Sequence, residues 1–101
     1  MKYYSKNHKE YVTHLFDKIK NYYGNNLISL IVYGSYSINE NKLDSDIDLF
    51  IIIQTEKNRR ARIKEFITEI ESKLLQSSLL LLDENISSEI STVILTEKEA
   101  L

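Results

Sequence analysis

Two short apolar runs, joined by a polar stretch, constrain the fold of this chain more than any other feature. The first run, Leu27–Tyr33, is rich in β-branched residues and too short for a lone buried helix, so it predicts a buried strand. It ends at the pair Gly34-Ser35, and ten residues then precede the second run, 46–53. That second run opens with the triplet Asp-Ile-Asp and predicts a second strand. Two neighbouring strands would bring these two polar motifs close together.

The pair Gly34-Ser35 has the composition of an anion-binding turn. Glycine tolerates positive φ and lets a ligand approach the backbone closely. Ser35 adds a hydroxyl and a backbone N–H, and a short helix beginning here would present free N–H groups to an anion. The alternative is an ordinary turn between a strand and a helix, with Ser35 as the helix cap.

The carboxylates of Asp46 and Asp48 are predicted to share one face of the second strand. Residues two apart in a strand point to the same side, with Cα atoms about 6.5–7 Å apart. Aspartate is depleted in strands, and two neighbouring negative charges repel each other unless a cation lies between them. Mg²⁺ prefers hard oxygen ligands and takes one or two carboxylates together with substrate phosphates. The alternative is an exposed strand start whose aspartates cap a turn.

The rest of the chain predicts helices that pack against a small sheet. Apolar residues at helical spacing predict helices over 5–23 and 59–76, and the run 79–82 could continue the second helix or start a strand. Partial alternation over 86–95 predicts a third strand, and Thr96 is expected to cap a final helix. This order predicts an α/β (α+β) fold in a single domain, 1–101.

Composition excludes several classes of protein. The chain has no cysteine, so disulfides, zinc–thiolate sites and a thiol nucleophile are excluded. Its net charge is −2, which gives no overall basic field for nucleic acid. No apolar run is long enough to span a membrane, and the polar start of the chain does not resemble a signal peptide. A cytoplasmic protein is therefore expected.

The two motifs together resemble the signature of the nucleotidyltransferase superfamily that includes DNA polymerase β. That signature is Gly-Ser after a hydrophobic strand, a spacer, and then Asp-x-Asp within a second hydrophobic strand. Here it reads VYGSYSINENKLDSDIDLFIII. The ten-residue spacer is similar to that of the minimal nucleotidyltransferases, the antitoxin-type members of the superfamily. The resemblance implies the nucleotidyltransferase fold, a small mixed sheet of three or four strands with helices packed against it.

The resemblance also implies roles for individual residues. Gly34 and Ser35 would hold the β- and γ-phosphates of a nucleoside triphosphate, and Asp46 and Asp48 would bind two Mg²⁺ ions. The family adds a third carboxylate on a later strand, usually an aspartate, for which Glu89 is the best match. Asp83 is the alternative, although it lies at a predicted turn.

The leading hypothesis is a magnesium-dependent enzyme that transfers AMP from ATP to a hydroxyl. Members of the minimal subgroup modify a tyrosine of a small helical HEPN toxin and act as its antitoxin. Relatives that act on aminoglycosides or tRNA carry additional substrate domains, so the acceptor here is expected on a partner or an oligomer. The runner-up is a protein-binding module that has kept the fold but lost catalysis. Direct binding to nucleic acid is not expected.

Three further features have a functional and a structural interpretation. The basic cluster Lys57, Arg59, Arg60 and Arg62 could stabilise a triphosphate, but a solvated helix face is the expected interpretation. Tyr36 is expected in the core, with stacking on a nucleotide base as the alternative. His8 and His14 lack a second ligand at metal spacing and are expected on the protein surface or a helix face.

Overall fold

A computed structural model describes all 101 residues of the chain. It has four α-helices, three strands and three short 3₁₀ turns. The helices are α1 (Lys6–Tyr23), α2 (Arg59–Glu69), α3 (Leu75–Asp83) and α4 (Glu97–Ala100). The strands are β1 (Leu27–Tyr33), β2 (Ile47–Ile53) and β3 (Ile90–Thr96). The 3₁₀ turns are Gly24–Asn26, Gly34–Ile38 and Glu71–Leu74. No helix of the chain is both long and apolar enough to cross a membrane.

The strands form one mixed sheet in the order β1-β2-β3, which confirms the predicted fold class. β1 pairs with β2 in antiparallel orientation, and β2 pairs with β3 in parallel orientation. The last residue of β1, Tyr33, therefore pairs with Asp48, and the first residues of β2 and β3, Ile47 and Ile90, pair with each other. We call the end of the sheet defined by these residues its upper end. Both sequence motifs lie there.

The core lies on one face of the sheet, beneath the helices. Every second residue of β2 is buried, whereas the residues between them, including Asp48, are half-buried on the other face. The apolar stripe of α1 packs on the buried face. The core side chains of β2 are Ile47, Leu49, Ile51 and Ile53, and those of α1 are Tyr11, Val12, Leu15, Ile19 and Tyr23. Since full burial of one such side chain stabilises the fold by about 1.5–3 kcal/mol, this face anchors β2 and hence its upper end.

The predicted helix over 59–76 is wrong in its extent, because the chain breaks at Ile70. Ile70 has φ −120° and ψ −66°, outside the α-helical region, and ends α2 before a 3₁₀ turn and α3. The break lets Phe66, Ile70, Leu74 and Leu81 all join the core, while Ile67 stays exposed. The run 79–82 is helical and lies within α3.

The predicted third strand, 86–95, also begins later than expected. The N–H of Ile86 donates to Leu81 at the end of α3, and that of Ser87 donates to the carbonyl of Leu43. These donors are therefore not available to a strand ladder, and pairing with β2 starts only at Ile90. Thr96 caps α4 as predicted.

Candidate functional site: the upper end of the sheet

The backbone of Gly34 lies directly against the carboxylate of Asp48. Gly34 has φ +69°, a conformation that side chains disfavour. A Cβ added at Gly34 would approach Asp48 Oδ2 more closely than the 3.0 Å that real Cβ atoms respect, and would lie 3.3 Å from Asp48 Cγ. Only glycine fits here with the carboxylate in this place. The structure thus joins the Gly-Ser motif to the Asp-x-Asp motif by direct contact.

The segment after Gly34 is a closed turn. It forms the 3₁₀ turn Gly34–Ile38, in which the Ser37 hydroxyl donates to the Gly34 carbonyl at 2.7 Å. The N–H of Glu40 donates to the Ser35 carbonyl at 3.0 Å, and Asn39 adopts φ +59° to end the turn. Ser35 is half-buried at the start of this turn, on the strand-to-turn junction that the sequence predicted.

Neither Asp46 nor Asp48 has a cationic partner in the protein. None of the ion pairs of the chain includes either residue. Asp46 is exposed just before β2, and Asp48 is half-buried within it. The backbone between them is fixed, because the N–H of Ile47 donates to the Glu89 carbonyl at 2.9 Å. Two unpaired carboxylates two residues apart form the hard-oxygen donor set that suits Mg²⁺.

The backbone of Glu89 lies at the upper end of the sheet, but Glu89 lines a cavity that includes no residue of the two motifs. It precedes β3 by one residue, so it is not on the strand as predicted. Its side chain lines a cavity of about 430 Å³ with Glu71 and Tyr11. Burial raises the pKa of Glu71, and the charge of Glu89 raises it further. No three acidic, histidine or cysteine side chains of the chain form a group that could hold a metal.

A comparison with known protein families identifies the family of this chain. The family of nucleotidyltransferase domains matches residues 12–99, nearly the whole chain. The chain belongs to the nucleotidyltransferase domain family. Neither a curated protein nor a solved structure matches it. Domains of this family transfer nucleoside monophosphates, so the chain is a transferase of that kind.

In this nucleotidyltransferase domain, the basic cluster lies far from both motifs. α2 follows β2, so the cluster lies beside the end of β2 opposite the upper end. A strand of seven residues spans about 20 Å, and this length separates the cluster from both motifs. Lys57 pairs with Glu65 at 2.5 Å, and Arg62 is buried in an ion pair with Glu99. Lys57, Arg59 and Arg60 are exposed, as a solvated helix face requires, whereas the burial of Arg62 contradicts that expectation for this residue.

Of the two remaining candidates, one lies at the end of a helix and the other inside the core. Asp83 is the last residue of α3 and is exposed. Tyr36 is only 1% exposed, so it belongs to the core and cannot stack on a base. Burial raises the pKa of the Tyr36 phenol to about 12, although a hydrogen bond with Asn41 opposes the change.

Of the two places expected for His8, the protein surface or a helix face, the structure shows the second, because this side chain is completely buried on α1. Its Nε2 lies 2.8 Å from the hydroxyl of Tyr36. The sequence contained a signal for this burial. His8 precedes Tyr11 and Val12 by three and four residues, which is the helical spacing of the apolar stripe. Glu71 was also missed, and no sequence motif marks it.

Proposed function

We propose that this domain transfers AMP from ATP to a hydroxyl acceptor in a magnesium-dependent reaction. The single observation that carries the proposal is the contact between the Asp48 carboxylate and the Gly34 backbone. It brings a backbone turn suited to phosphate next to carboxylates suited to a metal. In this proposal Gly34 and Ser35 hold the β- and γ-phosphates, and Asp46 and Asp48 hold two Mg²⁺ ions.

The proposed reaction is a displacement at the α-phosphorus. The acceptor hydroxyl gives its proton to the proposed third carboxylate, Glu89, and its oxygen bonds to the α-phosphorus. The bond between the α-phosphorus and the oxygen that bridges to the β-phosphorus breaks, so that pyrophosphate leaves. Bound Mg²⁺ would supply neutralisation of the charge on the attacking and leaving oxygens. The contribution of the protein is positioning, because the rigid start of β2 fixes the two aspartates relative to the turn.

Glu89 is the proposed third carboxylate, acting on the acceptor side. Its carbonyl is bonded to Ile47, between the two aspartates, so its backbone lies beside the site. A glutamate side chain has three rotatable bonds, and Glu89 is exposed, so rotation towards Asp46 meets no packed core.

We further propose that the domain acts as the antitoxin of a toxin–antitoxin pair, with a tyrosine of a helical HEPN toxin as acceptor. The ten-residue spacer of the motif, similar to that of the minimal subgroup, supports this assignment. A second support is the openness of the site, because no cavity of the chain is lined by Gly34, Ser35, Asp46 or Asp48. An acceptor therefore needs a second surface to hold it.

A transfer assay tests this function. The protein is purified with the proteins that accompany it and is incubated with Mg²⁺ and ATP labelled at the α-phosphorus. We expect a labelled partner with the wild-type chain and none with Asp46→Asn or Asp48→Asn. Label that also appears with both variants would contradict the assigned roles.

The second candidate is a binding module without catalysis, favoured by the orientation of Glu89 towards Glu71. In that case the wild-type chain and both aspartate variants would neutralise the same partner equally well in growing cells. The enzyme predicts that only the wild-type chain neutralises it.

A further inference from the structure

The ten-residue spacer between the two motifs, 36–45, is held by the segment that precedes and begins α1. Most of the spacer is exposed, and its two buried residues are Tyr36 and Asn41, each 1% exposed. Both make hydrogen bonds to residues 2–8. The relative position of the Gly-Ser turn and Asp46 therefore depends on contacts outside the sheet.

The side-chain amide of Asn41 makes hydrogen bonds to the backbone of Lys2 through both its oxygen and its nitrogen. Its Oδ1 accepts from the N–H of Lys2 at 3.2 Å, and its Nδ2 donates to the carbonyl of Lys2 at 2.8 Å. The Tyr4 hydroxyl also donates to the carbonyl of Asn41 at 2.7 Å. Three hydrogen bonds thus fix the middle of the spacer.

His8 fixes the start of the spacer through Tyr36, the residue next to Ser35. The Nδ1 atom of His8 accepts from the N–H of Tyr4 at 3.1 Å, so the ring proton of the neutral imidazole resides on Nε2. Nε2 then donates to the Tyr36 hydroxyl at 2.8 Å. The N–H of His8 itself donates to Ser5 Oγ, which holds the backbone of His8 in place. Each nitrogen of this buried ring therefore has one defined partner.

We propose that His8, Tyr36 and Asn41 are positioning residues that set the phosphate turn relative to the two aspartates. This inference rests on the proposed function. Tyr36 and Ser35 share a peptide bond, so a shift of the buried phenol moves the turn. Without the His8 contact the turn would still form beside Asp48, but Ser35 would lose its fixed position relative to Asp46, and the affinity for triphosphate would fall.

The test measures binding of Mg²⁺-tripolyphosphate by calorimetry, at a temperature where every variant is folded. Tyr36→Phe removes the hydroxyl and keeps the ring. Its matched control is Tyr23→Phe, which changes a core tyrosine at the far end of α1. Loss of one hydrogen bond to a positioning group is expected to weaken binding about two- to tenfold with Tyr36→Phe. Tyr23→Phe should leave the affinity unchanged.

Two variants of His8 separate positioning from a general effect on stability. His8→Gln places an amide N–H donor near the position of His8 Nε2, whereas His8→Leu has similar bulk and no donor. We expect His8→Gln to bind close to wild type and His8→Leu to bind as weakly as Tyr36→Phe. Equal affinities in folded His8→Gln and His8→Leu would overturn the inference.

If the variants at the buried residues do not fold, two variants at partly exposed residues test the same inference. Tyr4 and Tyr3 are neighbouring, partly exposed tyrosines, and only Tyr4 bonds to Asn41. Tyr4→Phe should weaken tripolyphosphate binding, and Tyr3→Phe should not. If both bind as the wild type does, the inference fails while the proposed function stands. If the wild-type chain itself does not bind Mg²⁺-tripolyphosphate, the proposed function fails, and the inference fails with it.

Discussion

Replacement of Gly34 by alanine should damage the proposed nucleotide site far more than it damages the fold. Two effects act on the folded state. Positive φ costs an alanine about 1–2 kcal/mol, which lowers the unfolding temperature of a domain this size by about 4–16 °C. The added Cβ also meets Asp48 Oδ2 inside the 3.0 Å limit, so the carboxylate has to move. Because Asp48 is half-buried and has no ion pair, that movement should affect stability little.

The functional loss should be larger, because the displaced group is a proposed metal ligand. A misplacement of about 1 Å in a catalytic group can lower activity on the order of 100-fold. We therefore expect Gly34→Ala to weaken Mg²⁺-ATP binding at least tenfold, or roughly 1.4 kcal/mol, at a temperature where the variant is folded. Calorimetric titration measures the affinity, and thermal unfolding measures the stability.

Gly24→Ala is the matched control for this experiment. Gly24 also has positive φ, +51°, but a Cβ there would meet nothing within 4 Å. It should lose stability through backbone strain and keep full affinity for Mg²⁺-ATP. If Gly34→Ala binds Mg²⁺-ATP as tightly as Gly24→Ala does, the contact between Gly34 and Asp48 does not define the site, and the reasoning is refuted.

Three further predictions concern charged residues. Asp46→Asn and Asp48→Asn should each abolish transfer. Because neither residue has a cationic partner, each variant should change the free energy of unfolding by no more than about 0.5 kcal/mol. Collapse of the fold in denaturant titrations would instead show that these residues are structural. Glu89→Gln should lower transfer with α-labelled ATP to the same extent, and full activity in this variant would remove Glu89 from the site. The hydrogen bond from Arg62 lowers the pKa of Glu99 from 4.5 to about 2, so this residue stabilises the fold above pH 4.5 and loses that effect as pH falls towards 2. Unfolding temperatures of Glu99→Gln should therefore fall less steeply over that range than those of the wild type, and parallel curves would contradict the assignment.

The sequence predicted the elements whose signals are local. The strand Leu27–Tyr33 has the predicted bounds, and Thr96 caps its helix as expected. Gly34 has the positive φ that a turn at this position requires. These features depend on side-chain periodicity and on backbone chemistry within a few residues.

Features set by tertiary contacts could not be predicted in the same way. The break at Ile70 arises because separate helices bring Leu74 and Leu81 into one core, although the apolar spacing alone favours a continuous helix. The late start of β3 depends on a hydrogen bond between Ser87 and the distant Leu43. Glu89 therefore lies one residue before β3 rather than on it, so the position of the proposed third carboxylate was the least predictable part.

The most direct test compares two positions of the label in ATP. The wild-type chain, Mg²⁺ and its co-purified partner are incubated in parallel with ATP labelled at the α-phosphorus and with ATP labelled at the γ-phosphorus. Nucleotidyl transfer predicts that the partner acquires the α-label and never the γ-label, while labelled pyrophosphate is released from the γ-labelled substrate. Incorporation of the γ-label would show phosphoryl transfer instead and would contradict the assignment of Gly34, Ser35, Asp46 and Asp48 to a nucleotidyl-transfer site.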